Sequence, residues 1–184
     1  MRRAARSAGP RVEVLRVGHR AGRDPRLTTH VALAARALGA ERMYLHPPDA
    51  ELGSRLEAIN RRWGGRFEVV GVSDWQRTIQ GFPGTVVHLT MYGEPMRRVL
   101  PKLKRRARIL LVVGGAKVPA ELYRLAEVNV AVGHQPHSEV AALAILMDRL
   151  KGTPGPGAWP GAEQVIEPMV RGKRVRRVAT GGGT

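Results

Sequence analysis

The chain has 184 residues, enough for one domain with a buried core, and 43% of them are hydrophobic, which excludes a disordered polymer. It carries 31 Lys and Arg against 15 Asp and Glu, a formal net charge of +16, and no cysteine, so disulfide and thiolate chemistry are excluded. No apolar run reaches the roughly 18 residues that cross a bilayer. The basic start Met1-Arg-Arg-Ala-Ala-Arg6 has no apolar stretch after it, so a cytoplasmic protein without membrane contact is expected.

Along the chain the hydrophobic period switches repeatedly between two and 3.6, the pattern of an α/β protein. A strand over 12–17 leads into a basic loop, through which Arg16, Arg20, Arg23 and Arg26 are spread for phosphate contact or as ordinary solvated charge. A helix over 31–38 follows, with Thr28 or Thr29 as N-cap and Gly39 as its stop. Arg36 falls among its Ala, Leu and Val residues, where a cation calls for an acidic or phosphate partner. Next come a strand over 43–46, a helix capped by Asp49 that runs to Trp63 and stops at Gly64-Gly65, a strand over 67–72 and a short helix over 74–80. A strand over 85–89 ends at Met91-Tyr92-Gly93, a basic helix spans 95–106, and 108–113 reads as a buried parallel strand. Pro119 opens a helix to Ala126, 129–132 is a strand, and 137–150 a helix. The run 140–147 is apolar nearly all round, as in a core helix, and Ala141, Ala142 and Ala144 would also suit close packing on a second subunit. Residues 151–161 have linker composition, and 163–170 with 173–179 pair as a hairpin. The division is therefore one α/β domain over 1–150 and a linker with a C-terminal β-hairpin over 151–184.

Parallel sheets bind ligands beyond the carboxyl ends of their strands. Three strands end in suggestive residues: Leu89-Thr90-Met91, Gly114-Gly115-Ala116-Lys117 and Gly133-His134-Gln135. They would share one edge if the strands are parallel neighbours. Neither G-x-G-x-x-G after the first strand nor G-x-x-x-x-G-K-[ST] is present, so a dinucleotide fold and a P-loop are poorly supported. His134 and His137 stand three apart, with His30 and His88 elsewhere, but there is no H-E-x-x-H, and no metal site is expected. Ser138 at a helix start reads as a cap or a ligand hydrogen-bonder rather than a nucleophile, because no Gly-x-Ser-x-Gly elbow surrounds it. The bases cluster: nine Arg with two acids in residues 1–36, seven bases in 97–108 and five in 171–177, the last two stretches without an acid. A polyanion, and among polyanions a nucleic acid, is the direct reading.

The motifs resemble a known family. Leu15-Arg-Val-Gly-His-Arg20, Arg23-Asp24, Thr28-Thr-His-Val-Ala-Leu33, Ala35-Arg-Ala-Leu-Gly-Ala40, Arg62-Trp-Gly-Gly65, Val87-His-Leu-Thr-Met-Tyr-Gly93, Lys117-Val-Pro119 and Gln135-Pro-His-Ser-Glu-Val-Ala-Ala-Leu-Ala144 are similar to the archaeal tRNA (cytidine-56) 2′-O-methyltransferases, a branch of the SPOUT class. The resemblance implies a parallel-sheet SPOUT fold with a trefoil knot in the C-terminal half. It implies S-adenosylmethionine bound by three knot loops, a homodimer with the site near the interface, and methylation of the ribose 2′-oxygen of a T-loop cytidine in tRNA. By the same resemblance Leu89 lines the cofactor pocket, Gly114, Gly115, Ala116, Lys117 and Val118 form a second loop, and Val132, Gly133, His134, Gln135, Pro136, His137, Ser138 and Glu139 form a third. Arg36 matches the helix arginine that related SPOUT enzymes use at the target. Relatives commonly read Gly-Ala-Glu-Lys-Val in the second loop, where this chain places Ala116, and Asn where it places His134.

On that resemblance Arg36 holds the target phosphate, and Ser138 or a phosphate oxygen takes the hydroxyl proton. A non-catalytic basic RNA-binding protein on an α/β scaffold is the alternative; it explains the charge but not the three loops. A nicotinamide enzyme lacks its glycine fingerprint.

Overall fold

A computed structural model describes residues 9–20, 22, 25–115 and 118–178. The elements run β1 (Arg11–Val17), α1 (Pro25–Ala37), β2 (Arg42–His46), α2 (Ala50–Trp63), β3 (Glu68–Gly71), α3 (Trp75–Gln80), β4 (Thr85–Pro95), α4 (Met96–Leu103), β5 (Arg108–Gly114), α5 (Ala120–Leu125), β6 (Val128–Ala131), α6 (Glu139–Lys151), β7 (Gln164–Glu167) and β8 (Arg174–Arg177). The first six strands form one parallel sheet in the order β3-β2-β1-β5-β4-β6, and β7 and β8 form a separate antiparallel hairpin. No helix among the described residues is long and apolar enough to cross a membrane.

Helices cover both faces of the sheet, which is why β5 reads as a near-continuous apolar run after its first residue. On one face Val12, Val14, Val87, Leu89 and Leu111 meet α1, α2, α4 and α6 through Val31, Leu56, Leu103 and Leu143. On the other Leu15, Val86, Leu110 and Val112 meet α3 and α5 through Trp75, Ile79 and Leu122. Asp49 and Asp74 cap α2 and α3, accepting from the backbone N–H groups of Glu51 and Leu52 and of Arg77. Such a cap contributes about 1 kcal/mol.

Several expected boundaries move, each for a tertiary reason. Helix α1 starts at Pro25, so Thr28 is not its cap: Thr28 lies inside the helix, fully buried, with Oγ1 2.8 Å from His19 Nδ1. Strand β4 runs on to Pro95, with a register slip against β6 between Leu89 and Glu94 that lets Thr90–Gly93 arch away from the sheet. Gly93 is required there, because a Cβ would stand 2.5 Å from the Asn129 and Val130 backbone. The basic helix α4 ends at Leu103. Ala142 is a core residue of this chain, leaving Ala141, Ala144 and Ile145 on the outer side of α6.

The segment after α6 is docked onto the domain. The Gly65 N–H donates to the Pro160 carbonyl at 2.9 Å, and the Trp159 ring lies against the Gly64-Gly65 turn. Both glycines have positive φ, +77° and +86°. Added Cβ atoms would come within 2.6 Å of the Trp159 carbonyl oxygen and 2.8 Å of its ring, so the tail and this turn are fitted to each other.

Candidate active site

The carboxyl ends of β1, β5, β4 and β6 open onto a cleft of about 790 Å³. At its floor stand Leu89 from β4, Gly114 and Gly115 after β5, and Val130 and Val132 around β6. Pro136, His137, Ser138 and Glu139, which lead into α6, form one wall, and Arg20 and Leu27 border it from the α1 side. The loops after these three neighbouring parallel strands therefore converge, the third through Val132 and Pro136–Glu139 rather than through Gly133-His134-Gln135. Of the expected cofactor residues, Leu89, Gly114, Gly115, Val118, Val132, Pro136, His137, Ser138 and Glu139 line the cleft. Gly133, His134 and Gln135 do not, although His134 Nε2 lies 3.2 Å from the Gly93 carbonyl and so ties the third loop to the first. Ala116, Lys117 and Arg23 lie outside the described residues.

Gly114 has a packing reason, since a Cβ there would collide with the Val118 side chain. A Cβ at Gly115 would make only ordinary contacts, 4.0 Å from Arg16 Nη2 and from the Gly18 carbonyl oxygen. Ser138 occupies the N-cap position of α6, but its side chain makes no capping bond. His137 Nδ1 makes a local contact, 3.3 Å from the Ser138 carbonyl. Among the described residues no group of three His, Cys, Asp or Glu could hold a metal ion.

Arg16 is not a loop residue. It is the sixth residue of β1, 1% exposed, and its Nη1 donates to Glu139 Oε2 at 2.8 Å, joining the end of β1 to the start of α6 beneath the cleft. Its Nε is buried with no hydrogen-bond partner among the described residues. An arginine so placed cannot serve as a freely exposed phosphate clamp. Arg20 is exposed at the cleft rim, and Arg26 is exposed in the first turn of α1.

Arg36 is 8% exposed and does not border the cleft of its own chain. Of the acidic or phosphate partner expected for it, no carboxylate is found among the described residues. Nε donates to Asn60 Oδ1 at 2.9 Å, Nη2 donates to the Gly64 carbonyl, and the guanidinium lies 5.0 Å from the centre of the Trp159 ring. All three partners are neutral. Burial with no carboxylate holds its pKa below the usual arginine value.

Thr90 and Met91, from the first strand end, also line the cleft, as do His88, Tyr92, Tyr123 and Ala142, which were not among the expected cofactor residues. His88, 1% exposed, has Nδ1 2.8 Å from Asn129 Oδ1 and packs edge-on against the Tyr123 ring at 4.8 Å between centroids. The signal available in the sequence was a histidine inside an apolar strand, two residues before the arch.

The tRNA ribose 2′-O-methyltransferase family, aTrm56, matches residues 63–176. The chain belongs to this family. It is 45% identical over 168 residues to the tRNA (cytidine(56)-2′-O)-methyltransferase of Cenarchaeum symbiosum, covering 90% of this chain and 96% of that protein. It is 48% identical over 169 residues to the enzyme of the same name from Methanosarcina mazei, with 90% and 96% covered. In fold it is similar to the SpoU methyltransferase AviRb from Streptomyces viridochromogenes, solved with the cofactor AdoMet, at a TM-score of 0.55 and 19% identity over 77% of this chain and 57% of that one. The parallel sheet is thus that of the SPOUT methyltransferases, with the β7–β8 hairpin added.

Proposed function

We propose that this protein methylates the ribose 2′-oxygen of cytidine 56 in tRNA, with S-adenosylmethionine as donor. The observation that carries the reading is the convergence of three strand-end loops on one cleft in a chain of this family. The residues present fit the cofactor. Leu89, Val130, Val132 and Ala142 offer an apolar seat, Gly114 and Gly115 line the cleft without side chains, and Ser138 and Arg20 supply polar groups. Beside a mostly apolar lining, such a small convergent polar set is what a cofactor site needs. When bound, the sulfonium group supplies an electrophilic methyl.

What the chain itself must do is hold the ribose in line and receive a proton. The uncapped Ser138 hydroxyl at the cleft wall, or an oxygen of the RNA phosphate, accepts the proton of the 2′-hydroxyl as the oxygen–methyl bond forms. Arg36 holds the phosphate beside that hydroxyl. Since Arg36 lies outside the cleft of its own chain, a homodimer brings it to the cleft of the second copy. The outward residues Ala141, Ala144 and Ile145 of α6, with exposed Leu27 on α1, offer the apolar face for that dimer. Sedimentation should give a dimer for the wild type and a monomer for Ile145→Glu; an Ile145→Glu dimer would move the interface elsewhere. Arg20, Arg26 and the basic hairpin contact the tRNA backbone, so binding weakens steeply with salt. The family's knot, and a cytoplasmic location beside its tRNA substrate, belong to the same reading.

Transfer from labelled S-adenosylmethionine to unmodified tRNA, with the labelled nucleoside located, tests the function. Label on the 2′-oxygen of cytidine 56 supports it. Tight tRNA binding without transfer would favour the non-catalytic RNA-binding alternative.

A further inference from the structure

The cleft contains a histidine whose tautomer is fixed by its neighbours. Asn129 lies beside His88 in register on the adjacent strand β6. Its Nδ2 donates to the Tyr123 carbonyl at 2.9 Å. A carbonyl oxygen only accepts, so the amide orientation is set by chemistry: Nδ2 faces Tyr123 and Oδ1 faces His88. Oδ1 in turn only accepts, so the 2.8 Å contact with His88 Nδ1 requires the proton on Nδ1. In the neutral ring Nε2 is then a bare lone pair. Burial favours that neutral ring by lowering the pKa of His88. No hydrogen bond of a described group to Nε2 is present, and His88 is one of the residues that line the cleft. The Tyr123 edge contact and the hydroxyl of Tyr123, 3.3 Å from Thr90 Oγ1, hold this arrangement at the foot of the arch.

We infer that His88 Nε2 accepts a hydrogen bond from a hydroxyl or amino group of the bound cofactor, with Asn129 and Tyr123 as the residues that position it. This rests on the methyltransferase reading. An acceptor with a fixed lone pair selects a ligand that presents a donor at that point and rejects one that presents a second acceptor. The arch residues Thr90–Gly93 make such a fixed point useful, because they leave the sheet directly after His88 and Leu89.

Two measurements on the full-length protein test the assignment, with S-adenosylhomocysteine as probe. In long-range proton–nitrogen spectra, free protein should show His88 protonated at Nδ1 and bare at Nε2. Saturation with the probe should move the Nε2 resonance while Nδ1 stays protonated. By calorimetry, His88→Phe, which keeps a ring against Tyr123, should bind the probe about tenfold more weakly, the loss of roughly one hydrogen bond. His88→Gln, which keeps a polar group able to accept, should recover part of that loss. A proton on Nε2 in the free protein, or an Nε2 resonance that the saturating probe leaves in place, would overturn the assignment. So would an Nε2 resonance that moves only when tRNA is added. If the wild type binds no probe at all, the methyltransferase reading fails and this assignment falls with it; binding with Nε2 unmoved removes this assignment alone.

Discussion

Two buried arginines stand at opposite ends of the site's architecture and differ in what neutralises them. Arg16, at the end of β1, faces the Glu139 carboxylate across 2.8 Å. Arg36, on α1, faces only an amide oxygen, a backbone carbonyl and the Trp159 ring. The first charge is satisfied within the fold and serves to fix the start of α6 against the sheet. The second is desolvated without a counter-ion, a costly state unless an anion completes it. On the proposed function, the difference separates a residue that builds the cleft from one that holds the target phosphate, and neither role follows from the residue type.

The largest effect expected from this contrast is on activity. Arg36→Ala should lower kcat/KM for tRNA by about a thousandfold, roughly 4 kcal/mol of transition-state stabilisation, while calorimetry shows cofactor affinity within about twofold of wild type. Equal loss of both would place Arg36 in the cofactor site instead. The effect on stability should run the other way. Glu139→Ala leaves the Arg16 charge buried and unpaired and should destabilise by about 3 kcal/mol, lowering Tm by roughly 6–12 °C. Adding Arg16→Met to it should recover most of that loss, whereas simple additivity of the two changes would mean the pair is not coupled.

Trp159→Ala tests whether the tail serves Arg36. It removes a cation–π contact worth about 0.5–2 kcal/mol and frees the turn at Gly64-Gly65. Transfer should fall by roughly tenfold with cofactor binding preserved, and undiminished transfer would make the docked tail a purely structural element. The smallest effect expected is a pH dependence. The folded-state pKa of His88 is lowered by burial below its ordinary value of about 6.5, so the unfolded chain binds the proton more readily. Its contribution to stability is therefore present above about pH 6.5 and is lost as pH falls through the folded pKa. In denaturant melts the wild type should lose more stability on acidification than His88→Phe, and identical slopes would contradict it.

The parts of the fold that were legible in the sequence are those set by local physics. Asp49 and Asp74 announce their helices because the capping oxygen and its N–H partners lie within three residues. The run around Leu110–Val113 announces a strand buried on both faces, and Gly114-Gly115 at its end announces the cleft it lines. The role of Arg16 is not legible locally, because its partner is 123 residues away and a charge in an apolar strand has no local explanation. The same holds for Arg36, whose aromatic partner comes from a stretch that reads as a linker by its Gly and Pro content. The arch at Thr90–Gly93 is a register slip, which depends on the neighbouring strand β6 and not on the residues of β4 alone. His88 could be seen as a polar residue in a strand, but its tautomer needed Asn129 and Tyr123.

The most direct measurement is methyl transfer by the wild type and by Arg36→Ala, side by side, on an unmodified tRNA and on the same tRNA with 2′-deoxycytidine at position 56. The account predicts transfer by the wild type to the first RNA only, located at the ribose of cytidine 56, and almost none by the variant on either. Label that persists on the 2′-deoxy RNA, or a variant as active as the wild type, would contradict it.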